Sequence, residues 1–444
     1  MVRVAAAVVM SASTLVWNVD VAVAEYSVDQ TLSQSDGISN DSFGWSVALS
    51  ADGDTAIVGA KEADPGGNYN QGSATVFTRS GSTWTEQQTI TQSDGGGENP
   101  DYFGSSVALS ADGDTAIVGA YGAYSEIVNN PPGAATVFTR SDGTWTEQQI
   151  LTQPAPNMGG YFGQSVALSA DGDTAAVGAN GGKSATVFTR SGGTWTEQQI
   201  LTQPDSDSDP EFGWSVALSA DGDTAVVGAM QDSVDGNDRQ GTATVFTRSG
   251  GTWTEQQKIH QSDGTGGDEF GFRVALSADG DTAIVGAYQA DPAGPGLRGK
   301  GSATVFTRSG GTWTEQQTIR HSNDAEYGQF GSSVALSADG DIAIVGVPYH
   351  VDWTANAIGA ATVFTRTGGT WTEKQIIAPG DSEATGRFGM SVALSADGGT
   401  AIVGATLAEP GGTYAQGSAT VFDDPTSTTS TTAPATTAPA TTAP

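Results

Sequence analysis

Residues 43–60 read FGWSVALSADGDTAIVGA, and residues 72–92 read GSATVFTRSGSTWTEQQTITQ. This pair decides the fold, because the chain writes it again and again. Its opening Phe-Gly recurs at Phe43, Phe103, Phe162, Phe212, Phe270, Phe330 and Phe388, at intervals of 50 to 60 residues. Self-similarity at such a period marks a repeat architecture, in which each unit buries its apolar faces only against its neighbours.

Each copy parses into four strands. Residues 43–50 alternate, with Phe43, Trp45, Val47 and Leu49 expected on one side. Ala51-Asp52-Gly53 supplies a hairpin turn, where Gly tolerates positive φ. Residues 55–60 are apolar on both faces, as a strand covered on both sides must be. Residues 74–79 are β-branched and aromatic, Ser80-Gly81 turns the chain, and residues 83–92 form a polar outer strand with Trp84 and Ile90 as anchors. Polar Thr, Gln and Glu on that edge discourage edge-to-edge association.

Four-stranded units repeated radially make a propeller. A linear stack would need capping repeats, and none is visible. The seventh copy stops after its third strand, at Thr420-Val421-Phe422, and the missing fourth strand stands at the other end of the chain. Residues 26–34 (YSVDQTLSQ) align with residues 84–92 (WTEQQTITQ), and both run on into Ser-Asp-Gly. The expected fold is therefore an all-β, seven-bladed β-propeller of four-stranded blades, the last closed by the N-terminal strand.

The series FG-x-S-V-A, D-G-D and I-V-G-A resembles the FG-GAP repeat of integrin α-subunit propellers. It is similar too to bacterial secreted FG-GAP proteins with G-S-A-x-V-F and Q-x-L/I-T-x-S-D-G elements. The likeness runs from Tyr26 to Phe422. It implies a seven-bladed fold, extracellular placement and a binding role. Integrin-type repeats often carry an Asp-rich calcium loop between the first two strands. With Asp52-Gly53 in register, Ala48, Ser50 and Ala56 fall on ligand positions of that loop, and the seventh copy has Gly399 for the second Asp. Calcium takes six to eight oxygens, several from carboxylates, so this stretch reads as a turn.

The remaining composition fits such a body. There is no cysteine, so neither a disulfide framework nor a thiol nucleophile exists. Lys and Arg number 17 against 50 Asp and Glu, a net charge of −33. Such a surface repels phosphates and anionic lipid, which excludes nucleic acid and membrane insertion as partners. Arg3, the short apolar run 4–17 and Ala22-Val23-Ala24 read as an export signal over residues 1–24, which places the protein outside the cell or on its surface. Residues 25–425 are the propeller. Residues 426–444, rich in Thr and Pro, have no side chain that can bury a core and are expected to be a disordered tail or stalk.

Three scattered histidines (His260, His321, His350) and the absence of HExxH, GxSxG or a phosphate-binding Gly loop lead to an expectation that the chain is not an enzyme. The uniform turns lie at one end of the strands. The links after the second strand, and between blades, differ from copy to copy and lie at the other end. Diverse loops on a uniform frame point to a binding face for a protein or glycan ligand, borne by a monomer. On that face Tyr349, His350, Asp352 and Trp353 cluster as candidate ligand contacts. Asp205, Asp207 and Asp209 are spaced like the start of a calcium loop, with Pro210 where Gly should turn, so Ca2+ is the one cofactor suggested. The third copy has only residues 180–183 between its second and third strands, which should leave a notch in the rim. Two other readings remain: a carbohydrate-active enzyme on a propeller frame, or a structural cell-envelope protein. An acid pair lining the centre would favour the enzyme, and aromatics without one would favour binding.

Overall fold

The computed structural model describes residues 25–424 apart from 96–99, 124–131, 154–159, 204–209, 292–298, 323–327, 350–357 and 380–385. The segments read as an export signal and as a tail lie outside the described residues. After β1 (Ser27–Leu32), the first copy folds into β2 (Phe43–Leu49), β3 (Thr55–Ala60), β4 (Ser73–Ser80) and β5 (Thr83–Ile90). These bounds follow the sequence parse within a residue or two. They pair antiparallel in the order β2-β3-β4-β5, and the same arrangement recurs in seven four-stranded sheets. Among the described residues no helix is long and apolar enough to cross a membrane.

The core lies between blades. In β3 every residue is buried. Ile57 packs against Phe103, Val107 and Val118 of the second blade. Ala56, Val58 and Ala60, on its other face, pack against Leu32 of β1 and Ile402 and Val421 of the last blade. This two-sided burial is why the strand shows no polar alternation. The Phe of each Phe-Gly pair is nearly inaccessible, and Phe43 meets Phe77 edge to face with centroids 6.1 Å apart.

Two closed circuits of hydrogen bonds prove the ring. On the inside, the Ala51 N–H donates to the Ala111 carbonyl (2.9 Å), and the pattern passes through Ala170, Ala220, Ala278, Ala338 and Ala396 back to Ala51 (2.9 Å). On the outside, the second Gln of each WTEQQ clamps the backbone of the next blade's Trp: Gln88 Nε2 donates to the Trp145 carbonyl (3.0 Å) while its Oε1 accepts the Trp145 N–H (3.0 Å). The N-terminal strand completes this circuit. Gln375 exchanges the same two bonds with Tyr26 (2.7 and 2.9 Å), and Gln30 exchanges them with Trp84. In register, β1 runs antiparallel to the last strand, Ser418–Asp423, with Leu32 opposite Ala419.

The uniform end is built from side chains that satisfy one another. Ser50 Oγ accepts the Thr55 N–H (2.9 Å), and Asp52 Oδ1 accepts the Asp54 N–H (3.0 Å) and lies 2.5 Å from Ser50 Oγ. The Asp52 carboxylate is thereby held within the turn itself. Beside it, Arg140 pairs with Asp114 (2.6 Å), lies over Trp145 at 5.4 Å and donates to Thr55 Oγ1 of the preceding blade (3.3 Å). The Arg–Asp pair recurs as far as the sixth copy, at Arg366 and Asp341.

Candidate functional site

The opposite end surrounds an axial opening. Each blade's first strand lies innermost, so residues of all seven copies, from Trp45 to Val392, line a narrow chamber of about 170 Å³ on the axis. It shares Trp45, Ser105, Gln164, Arg273 and Met390 with a wider chamber of about 390 Å³. Together they form a basin on the face where β3 ends and the variable links begin.

A backbone irregularity directs side chains there. Strict alternation would keep Trp45 beside Phe43. Instead Phe43 pairs with Ala60 and Ser46 with Gly59, so Gly44 and Trp45 bulge out of register. Gly44 sits at φ +87°, and a Cβ there would stand 2.3 Å from the Ser418 carbonyl oxygen, so only glycine fits. Phe43 consequently enters the interblade core while Trp45 lines the basin, which corrects the expectation that the two share a side.

Three repeat-equivalent positions supply much of the basin's lining. The residue after Phe-Gly is Trp45, Ser105, Gln164, Trp214, Phe272, Ser332 or Met390. The next is serine in six copies and Arg273 in the fifth. The residue after the second strand is Lys61, Tyr121, Asn180, Met230, Tyr288, Pro348 or Thr406. The strands and the turns of the uniform end are otherwise nearly identical from copy to copy. The serines link blades: Ser46 Oγ donates to the Gly104 carbonyl (2.8 Å), Ser333 to Gly389 (2.9 Å) and Ser391 to Gly44 (2.8 Å). Arg273 gives up that link.

Aromatic rings form two arcs. Tyr102 stacks on Tyr121 at 5.0 Å, and Tyr121 meets Tyr161 edge to face at 6.2 Å. Across the basin Trp214 lies 5.6 Å from Phe272, which lies 4.1 Å from Tyr288. Burial, followed by the neighbouring Tyr102 and Glu62, pushes the Tyr121 hydroxyl well above the ordinary phenol value. Burial and a hydrogen bond with Glu269 raise Tyr288 to about 12. Both phenols are neutral at physiological pH.

Two cations stand among these rings in a chain of net charge −33. Lys61 Nζ lies 3.9 Å above the Trp45 ring and pairs with Glu62 at 2.7 Å. Burial raises the Glu62 carboxyl, but bonding and attraction from Lys61, with Ser42 and Arg387, hold it below the usual carboxylate range. Arg273 is different. It lies over Phe272 at 4.5 Å and donates to the Phe272 carbonyl (2.9 Å), and among the described residues no carboxylate pairs with it. Enclosure by protein brings its guanidinium down to about 10, which leaves it charged at neutral pH. Two further polar atoms at the basin lack a partner among the described residues: the Trp214 indole Nε1 and the Oδ1 of Asn180, a residue more than nine-tenths buried. Among the described residues no Asp or Glu lines either chamber.

The sequence-derived candidates fall elsewhere. Tyr349 is half-buried on the variable face with Arg387 over its ring at 5.3 Å, and it does not line the basin. His350, Asp352 and Trp353 lie outside the described residues, as do Asp205, Asp207 and Asp209. Among the described residues no cluster of three or more His, Asp or Glu could hold a metal. The short third link, read as a notch, does reach the basin, through Asn180. Sequence reading passed over Trp45, Trp214, Phe272 and Arg273. The available signal was the one non-serine in a column of serines.

No curated protein sequence matches the chain. Among solved structures, the β-propeller domain of Myceliophteria thermophila Cps50 (Swd1) is similar over 90% of this chain and 99% of its own, with a TM-score of 0.56 and 10% identity. The Pseudomonas aeruginosa periplasmic gluconolactonase PpgL is similar over 75% of this chain and 85% of its own, with a TM-score of 0.50 and 17% identity. At these identities the likeness shows the fold alone. It nevertheless corrects the expectation that the chain is not an enzyme. A lactonase is built on a similar frame, so missing short motifs on such a frame give no ground for excluding catalysis. The FG-GAP repeat matches residues 26–77, 84–138, 145–192, 195–246, 253–306, 313–364 and 371–422, and the chain belongs to the FG-GAP repeat family.

Proposed function

We propose that the chain is a secreted binding module that holds its ligand, a glycan or a protein segment, in the axial basin of the variable face. The observation that carries this reading is the variation at the axis of a uniform frame. Seven blades share one frame, yet the residues that reach the basin differ in nearly every copy. A rigid scaffold that presents unlike side chains at its centre has the form of a recognition site. The aromatic arcs supply contact area, and Ser105, Gln164 and Asn180 supply polar partners without an acid among them. Tyr349 stands on the same face.

The test is a glycan-array and pull-down screen with the full chain, followed by titration of variants. Truncating a central aromatic anchor typically costs about 2 kcal/mol or more. Trp45→Ala and Trp214→Ala should therefore each weaken binding by more than about tenfold with the melting temperature nearly kept. Arg308→Ala, at the uniform end, should leave binding unchanged. Binding lost with Arg308→Ala and kept with both tryptophan variants would place the ligand on the other face.

A further inference from the structure

We infer that the basin takes a sugar acid, with the ligand carboxylate on Arg273 and the sugar ring against Trp214 and Phe272. This rests on the basin being the ligand site, and it specifies what that site selects. The first observation is the break in the repeat. Six copies place a serine hydroxyl at this position, which in four of them donates to the next blade's glycine carbonyl, and the fifth copy places an arginine there. Nothing in the fold requires the exchange, because the serine geometry serves the other joints.

The second observation is what Arg273 lacks. The uniform end of the first six copies has an arginine paired with aspartate, as Arg308 is with Asp281 at 2.6 Å. Arg273 has only the Phe272 carbonyl and ring, and among the described residues no carboxylate pairs with it. A guanidinium among apolar rings and neutral hydroxyls is unsaturated: its planar fork suits a carboxylate in bidentate contact. The third observation is the surroundings. Trp214 Nε1 and Asn180 Oδ1 are a donor and an acceptor without partners among the described residues at the same chamber, and Gln164 lies there too. Hydroxyls of a sugar can satisfy both, and its C–H face can lie on the electron-rich faces of the aromatic rings. A simple carboxylate would leave these groups unused, and a neutral sugar would leave Arg273 unused. The wider chamber, at about 390 Å³, is within the size range of small-molecule sites.

The test uses the full chain, titrated with D-glucuronate and with methyl glucoside as the uncharged counterpart, followed by ligand-observed NMR. Glucuronate should bind more than about tenfold tighter than the glucoside, since a charge-assisted hydrogen bond separates them. Arg273→Ser should remove that preference, and Arg273→Lys should keep part of it. Equal affinity for the two sugars, or a preference that survives Arg273→Ser, overturns the inference. If both sugars bind alike and Trp214→Ala weakens both, the basin remains the ligand site and only the sugar acid is wrong. If neither binds at millimolar concentration, the sugar acid is wrong. The basin then stands or falls on whether Trp45→Ala and Trp214→Ala weaken the ligand found by screening.

Discussion

Two sets of departures from the repeat, at the closing seam and at the axial basin, are of opposite kinds. At the seam the changed polar side chains find partners within the chain. Lys374 stands where the other complete copies have Gln, and it pairs with Asp424 at 2.6 Å. Asp424 occupies the position of the repeated Arg, and Gly399 that of the aspartate this Arg would have met. Asp29 replaces a Gln and accepts from the Trp84 indole at 3.1 Å, while Asp423 accepts from Arg79 at 3.0 Å. At the basin, Arg273 has no carboxylate partner among the described residues, and Trp214 Nε1 and Asn180 Oδ1 have no hydrogen-bond partner among them. A compensated departure serves the fold. An uncompensated one keeps bonding capacity for something outside it.

The comparison can be broken first at the seam. Deleting residues 25–34 removes buried Tyr26 and Leu32, the ladder to Ser418–Asp423 and two Gln clamps. The exposed sheet edge would also invite association. Melting should fall by more than about 10 °C, or the protein should aggregate, as read by calorimetry and light scattering. A melt like that of the intact chain would mean that β1 does not close the ring.

Lys374→Gln restores the repeat's own residue and should still destabilise. Lys374 and Asp424 are both largely buried, and breaking one partner from a buried pair costs about 3 kcal/mol or more. Chemical denaturation measures the loss. Replacing both residues with the repeat consensus, Lys374→Gln with Asp424→Arg, should recover less than the sum of the single effects predicts, because Gly399 has no carboxylate for the new arginine.

A smaller effect depends on pH. Burial, with Asp64 and Asp36 nearby, raises the Asp41 carboxyl to about 6 although it accepts the Ile38 N–H at 2.6 Å. A raised folded value means that ionised Asp41 opposes folding. The penalty is complete above about pH 6, fades as pH falls, and is gone below the ordinary value of 3.8. Asp41→Asn should therefore stabilise by roughly 1–2 kcal/mol at pH 7, and the gain should vanish near pH 4. A gain that is the same at both pH values would assign it to something other than charge. Asp268, raised by burial in the same sense, should behave alike.

Most of the fold could be read from the sequence because seven copies repeat the same evidence. The strands, their turns and the borrowed closing strand each follow from aligning residues 26–34 with 84–92 and seeing the seventh copy stop at Phe422. The basin was hidden by a local rule. Alternation places Trp45 with Phe43 and Val47, and only the bulge at Gly44 separates Trp45 from Phe43. The aromatic segment at Tyr349–Trp353 drew attention because it is locally dense, whereas the basin is assembled from single residues about one repeat apart in sequence. No linear window contains Trp45, Asn180, Trp214 and Arg273 together. Arg273 alone could have been noticed, as the exception in its column.

The most direct test sets one departure of each kind side by side. Arg273→Ser and Lys374→Gln each return a residue to the repeat consensus, and each is followed by melting temperature and by D-glucuronate affinity. The account predicts that Arg273→Ser loses the affinity by more than about tenfold while melting at the same temperature or higher, since an enclosed charge is removed and a serine link to Gly331 becomes possible. Lys374→Gln should melt lower and bind as before. An Arg273→Ser protein that melts lower and binds unchanged would contradict it.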